Sequence, residues 1–123
     1  MDKKKIFVVD DDEFYLSKVE SVLKNKYEVT TAKSGKDAME YLLKGAVPDL
    51  ILLDILLPDL DGWKTFHRIR TINFLEAVPL VLLIPKIDLA EVEYAKEIGW
   101  TDYITTPFKI DDLLHRLGRI LRK

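Results

Sequence analysis

The stretch Asp49-Leu50-Ile51-Leu52-Leu53-Asp54 sets the tightest limit on the fold. Its large apolar residues run on without alternation, as in a strand covered on both faces, and a parallel sheet flanked by helices requires such strands. The run breaks at a carboxylate, Asp54, after which Pro58 and Gly62 mark a turn and the place where a helix can begin. Sheets of this kind bind ligands at the carboxyl ends of their strands, which is where Asp54 stands. Taken alone, Asp54 reads equally as a residue that only ends a strand and opens a turn.

The rest of the chain repeats the theme. Residues 5–9 (KIFVV) form a short apolar run that ends in Asp10-Asp11-Asp12-Glu13. Residues 14–24 have helical spacing, with Leu16, Val19, Val22 and Leu23 on one side. Residues 27–31 alternate and are rich in β-branched side chains, as in a half-exposed edge strand. Ser34 is placed to cap a second helix, with Asp37 completing a capping-box-like pattern and Gly45 ending it. A third helix is expected over residues 63–72, with Phe66 and Ile69 inward and Trp63 packing. A strand over 79–84, a helix over 88–98 closed by Gly99, and a strand over 101–105 follow. The last helix spans 110–122, with Leu113, Leu114, Leu117, Ile120 and Leu121 inward. Five strands alternating with five helices, without linker or repeat, describe one domain over residues 1–123 whose parallel sheet has helices on both sides.

Composition removes several function classes. The chain has no cysteine, which excludes disulfide frameworks, thiolate metal sites and cysteine nucleophiles. No apolar run nears the roughly 18 residues of a membrane span, and no secretory segment precedes the first strand, so the expected compartment is the cytoplasm. A net charge of −2 argues against direct nucleic-acid binding. The one basic group, Arg116, Arg119, Arg122 and Lys123, is better explained as cations complementing the dipole at a helix C-terminus. His67 and His115 lack metal-like spacing and read as surface residues.

If the first and third strands are neighbours, Asp10, Asp11 and Asp54 converge at one edge of the sheet. Like charges that close repel, and a hard divalent cation relieves them. Mg²⁺ suits the set, since it takes one or two carboxylates, several waters and a phosphoryl oxygen. The competing reading is a solvated acidic rim. Three clustered acids cost stability without return, which favours the cation.

Four segments together resemble the receiver domain of bacterial two-component response regulators: Val8-Val9-Asp10-Asp11, Asp49 through Asp54, Pro58-Asp59-Leu60-Asp61-Gly62, and Asp102-Tyr103-Ile104-Thr105-Thr106-Pro107-Phe108. The resemblance covers nearly the whole chain. It implies a flavodoxin-like α/β fold, a doubly wound sheet of order 2-1-3-4-5. It also implies that Asp54 accepts a phosphoryl group from a sensor histidine kinase or phosphotransfer protein. Mg²⁺ would be held by Asp11 and Asp54 directly, by Asp10 through water, and by the backbone carbonyl of Leu56. Tyr103 matches the aromatic that turns inward on activation, and Thr106-Pro107 matches the bond that is cis in the family. Signalling would pass through the surface of helix four, strand five and helix five to a downstream target or fused output domain, and that face could also support a homodimer. Such a chain is not an enzyme beyond taking up and shedding its own phosphoryl group.

Two positions depart from the family. Thr106 stands where the family has a lysine that pairs with the phosphoryl group, and Ile84 where it has a serine or threonine that bonds it. The expectation is weak coupling between Asp54 and the signalling face. Lys86, on the following loop, is a candidate replacement cation, with a solvent-facing loop lysine as the plainer reading. Trp100 is either core filling or an anchor for partners. The alternative function is a phosphorylation-independent pseudo-receiver that works as an interaction module. The run Asp10-Asp11-Asp12 also resembles the nucleophile motif of haloacid dehalogenase-like phosphohydrolases, but Phe14 replaces the required threonine or valine and the chain is short for that class.

Overall fold

Strands β1 (Lys5–Val9), β2 (Glu28–Ala32), β3 (Leu50–Asp54), β4 (Leu80–Pro85) and β5 (Asp102–Thr106) form one parallel sheet of order β2-β1-β3-β4-β5 in the computed structural model of the chain. The residues described are 3–57, 62–85, 99 and 102–122. Helices α1 (Glu13–Leu23), α2 (Gly35–Leu43) and α3 (Gly62–Arg70) connect the strands, and a C-terminal helix spans Ile110–Leu121. The helix expected over residues 88–98 lies outside the described residues, as do Lys86 and Trp100. The fifth strand runs one residue later than its expected bounds.

Period-two alternation along the unbroken apolar strands divides the core into two layers. Phe7, Val9, Ile51, Leu53 and Leu82 face Ala38, Met39 and Leu42 of α2 and Phe66 and Ile69 of α3. Ile6, Val8, Leu50, Leu52 and Val81 face Leu16, Val19 and Leu23 of α1 and Leu113, Leu117 and Leu121 of the C-terminal helix. Leu50 through Leu53 are fully buried, as a central strand of a two-sided sheet must be. Each such side chain stabilises the fold by about 1.5–3 kcal/mol. β2 lies at the edge, and its partial exposure matches the alternation in its sequence.

Local chemistry starts and stops the helices where the site needs them. The Asp12 carboxylate accepts from the N–H groups of Phe14 and Tyr15, so α1 begins directly after the acidic end of β1. The Ser34 hydroxyl accepts from the Asp37 N–H at 3.0 Å and starts α2. Gly45, at φ 100°, lets the chain leave that helix. The third helix ends at Arg70 rather than residue 72, because the chain tightens into a 3₁₀ turn, Asn73–Leu75.

Arg70 was not singled out in the sequence and has a structural part. Its guanidinium donates to the carbonyls of Gly99 (2.7 Å), Leu75 (3.2 Å), Glu76 (3.5 Å) and Val78 (2.9 Å), tying the end of α3 to the approach to β4.

Gly62 is required for a different reason. Its N–H donates to the Ile55 carbonyl at 2.9 Å, and a Cβ there would lie 2.2 Å from the Ile55 backbone. No side chain can give way to relieve that clash. Gly62→Ala is expected to destabilise the protein by about 3 kcal/mol, read as a lowered urea midpoint with an unchanged slope. An unchanged midpoint would mean that the chain after β3 is free to move away from α3.

Candidate functional site: an acidic hollow at the ends of β1 and β3

The register of β1 on β3 pairs Val9 with Leu53, so the next residues, Asp10 and Asp54, stand side by side at the carboxyl ends of the two strands. One oxygen from each of Asp10, Asp11 and Asp54 lies within 4.8 Å of the others. The expected convergence of the three carboxylates is present. Asp10 is buried, Asp54 half-buried and Asp11 exposed, so the cluster grades from the core to solvent.

The backbone secures two of these groups. The Asp12 N–H donates to Asp10 Oδ1 and the Leu56 N–H to Asp54 Oδ1, each at 3.0 Å. The carboxylates nevertheless destabilise one another's charge. Burial pushes Asp54 up to about 8, against the backbone bond from Leu56, and the charges of Asp10 and Asp11 add to the rise. Asp10 is raised as well, chiefly by burial, while its bond from Asp12 works the other way. A proton kept on Asp54 and donated to Asp10 therefore relieves the pair when no cation is present.

The hollow above these groups has a volume of about 330 Å³. Its far wall is made by Thr106, from the end of β5, and by Phe108, whose ring lies 6.0 Å from that of Tyr15 at the start of α1. Among the described residues no lysine or arginine lines it. The Thr106-Pro107 bond is cis, as the resemblance implied. Leu56, whose carbonyl was expected near a metal, lines the hollow with its side chain 57% exposed.

Ile84 and Tyr103 are placed differently. Ile84 is fully buried in the layer under α2 and α3, and Tyr103 packs half-buried against that same layer. The neighbouring Leu83 faces the other layer and lines the hollow instead. Asp12 lines the hollow as well, and Tyr15, Phe108 and Leu83 are the apolar and aromatic lining residues that sequence reasoning did not single out. Nothing in the composition of their segments distinguishes them, because they reach the hollow only through helix start, loop and strand register.

The donor set suits a hard cation. Three carboxylate oxygens held close together, with charge that burial disfavours, match the oxygen coordination that Mg²⁺ takes. Five parallel strands in this order, with acids at the ends of the first and third, define a doubly wound α/β protein with its site at the topological switch point.

The chain belongs to the response regulator receiver domain family, whose model matches residues 6–118. It is 34% identical over 114 residues to the transcriptional regulatory protein DltR of Streptococcus agalactiae, covering 92% of this chain and 50% of that protein. It is 34% identical over 119 residues to the transcriptional regulatory protein AfsQ1 of Streptomyces coelicolor, covering 96% of this chain and 51% of that one. The chain thus spans about half the length of the curated relatives it matches. Among solved structures, a response regulator from Chloroflexus aurantiacus superposes with a TM-score of 0.88 at 31% identity, covering 98% of this chain and 99% of the other. The receiver domain of a sensor histidine kinase from Pseudomonas aeruginosa, solved with a magnesium ion coordinated in its active-site cleft, superposes at 0.86 with 28% identity, covering 98% and 99%. Receiver domains are signalling modules that interact with histidine kinases or other phosphodonors and with output domains. No described helix is long and apolar enough to cross a membrane.

Proposed function

We propose that this chain is a phosphoryl-accepting receiver whose acidic hollow binds Mg²⁺ and whose activation is weakened. The observation that carries the reading is the convergence of Asp10, Asp11 and Asp54 at the carboxyl edge of the sheet. Asp54 is the nucleophile. Leu56 N–H holds one of its oxygens, and the other attacks the phosphorus of a phosphohistidine on a sensor kinase or phosphotransfer protein. The P–N bond breaks, the electron pair leaves with the imidazole nitrogen, and Asp54 carries an acyl phosphate until water removes it. Such a carboxylate is a feeble nucleophile, so positioning and charge stabilisation have to supply the rate.

Asp11 and Asp54 would hold Mg²⁺ directly, Asp10 through water, with the Leu56 carbonyl completing the protein's share. When bound, the ion withdraws charge from the phosphoryl oxygens. Asp54 must lose its proton to act in either role, and the same positive charge would favour that loss.

Output passes to a downstream protein or a fused output domain through the surface of β5 and the C-terminal helix, without direct nucleic-acid contact. A homodimer through that face is compatible with this reading. The reading places the protein in the cytoplasm. Thr106 and Ile84 deprive the phosphoryl group of two partners, and this supports the second reading, an interaction module independent of phosphorylation. Lys86 is a replacement cation only if Lys86→Ala slows phosphoryl uptake.

Incubation with Mg²⁺ and a small phosphodonor, followed by intact mass, separates the readings. Gain of one phosphoryl group, lost in Asp54→Asn, supports the receiver. No gain under conditions that label a typical receiver leaves the interaction module.

A further inference from the structure

A second concavity lies at the end of the domain opposite the acidic hollow. It is a groove of about 680 Å³ between the C-terminal part of α1, the start of the sheet and the C-terminal helix. Its floor is apolar, with Val22, Leu23, Tyr27, Leu114 and Leu121. Its rim carries Lys4, Lys26 and Arg122, with His115 beside them, and among the described residues no acidic side chain lines it.

Gly118 supplies a second, independent observation. It stands inside the C-terminal helix, where glycine is unfavourable, and lines the groove. A Cβ there would meet only the Arg122 guanidinium, at 3.8 Å. Packing within the domain does not demand glycine at this position. The bare position leaves room for another backbone to approach the helix closely.

We propose that the groove docks an acidic amphipathic helix of a partner protein, laid across the C-terminal helix at Gly118. A leucine-bearing face fits the recessed floor, glutamates meet the rim, and the missing Cβ lets the two helices approach closely. A lipid surface fits less well, because the apolar groups are sunk in a concavity rather than raised. A second copy also fits less well, since α1, α3 and the C-terminal helix all carry lysine or arginine on their exposed faces and α2 carries Lys36 there.

The test uses a labelled synthetic helix with leucine on one face and glutamate on the rest, followed by fluorescence anisotropy. Lys26→Glu with Arg122→Glu is expected to weaken binding about tenfold, through lost charge complementarity. Gly118→Ala should weaken it roughly fivefold while raising the melting temperature by about 3 °C, because alanine is the better helix former. A loss of affinity joined to a gain of stability cannot come from misfolding. The proposal is overturned if a scrambled peptide of the same composition binds equally, or if Gly118→Ala leaves affinity unchanged. It is also overturned if phosphatidylglycerol vesicles bind with the same sensitivity to these variants, or if sedimentation shows a dimer that the charge reversal breaks.

Discussion

Thr106→Lys is expected to strengthen binding of a phosphoryl mimic beside Asp54 by roughly 10- to 10²-fold. Thr106 lines the hollow, which has no lysine or arginine among the described residues, so a lysine there can bring its ammonium to the three carboxylates. A hydrogen bond to a charged group contributes about 1.5–3 kcal/mol. A switch needs about 5.5 kcal/mol of differential binding to pass from 1:99 to 99:1. This one contact thus carries up to about half of a switch. Ile84→Thr should add less, because it sets a hydroxyl in the apolar layer against which Tyr103 packs, at a cost in stability. Calorimetric titration with a beryllium fluoride mimic in Mg²⁺ measures the affinity; a value unchanged in Thr106→Lys would mean that this position does not face the phosphoryl group.

The stability of the metal-free protein should fall as pH rises from about 4 to about 8. Asp54 is raised from its ordinary 3.8 to about 8 by burial, opposed by the Leu56 bond and reinforced by Asp10 and Asp11. Between those values the folded chain holds a proton that the unfolded chain has released, so unfolding is favoured by every step upward in pH. The stabilisation is complete below the unfolded value and gone above the folded one. Solvent still reaches the half-buried Asp54, and after discounting for that screening the loss is about 2–3 kcal/mol. Melting in a chelating buffer across this range reads the slope. Asp54→Asn should remove more than half of it and leave the protein more stable at pH 8. Added Mg²⁺ should raise the melting temperature more at pH 8 than at pH 6, because at the lower pH it competes with a bound proton. A flat profile, or equal gains at both pH values, would contradict the close packing of the three carboxylates.

Much of this architecture can be read from the chain because its signals are local and strong. Leu50 through Leu53 admit only a covered strand, and Asp12 and Ser34 cap helices with their own side chains. The acidic hollow was legible for a related reason: carboxylates ending two apolar strands meet if those strands pair, and they do. Contacts between distant segments were not legible. Arg70 reads as one more surface cation until four backbone carbonyls turn towards it. Tyr15 and Phe108 become walls of the hollow only once α1 and the chain after β5 come together. Ile84 was read as bordering the hollow, whereas strand alternation sends Leu83 there and Ile84 into the layer with Tyr103. That placement strengthens the expectation of weak coupling, since a fully buried isoleucine has no hydroxyl to follow a phosphoryl group.

The backbone amide spectrum of the native protein in Mg²⁺, recorded with and without the phosphoryl mimic, bears most directly on whether the hollow is occupied without driving the rest of the domain. Shifts confined to Asp10 through Asp12 and Asp54 through Leu57 are the expected result. Shifts of comparable size at Ile84, Tyr103 and along the C-terminal helix would contradict it.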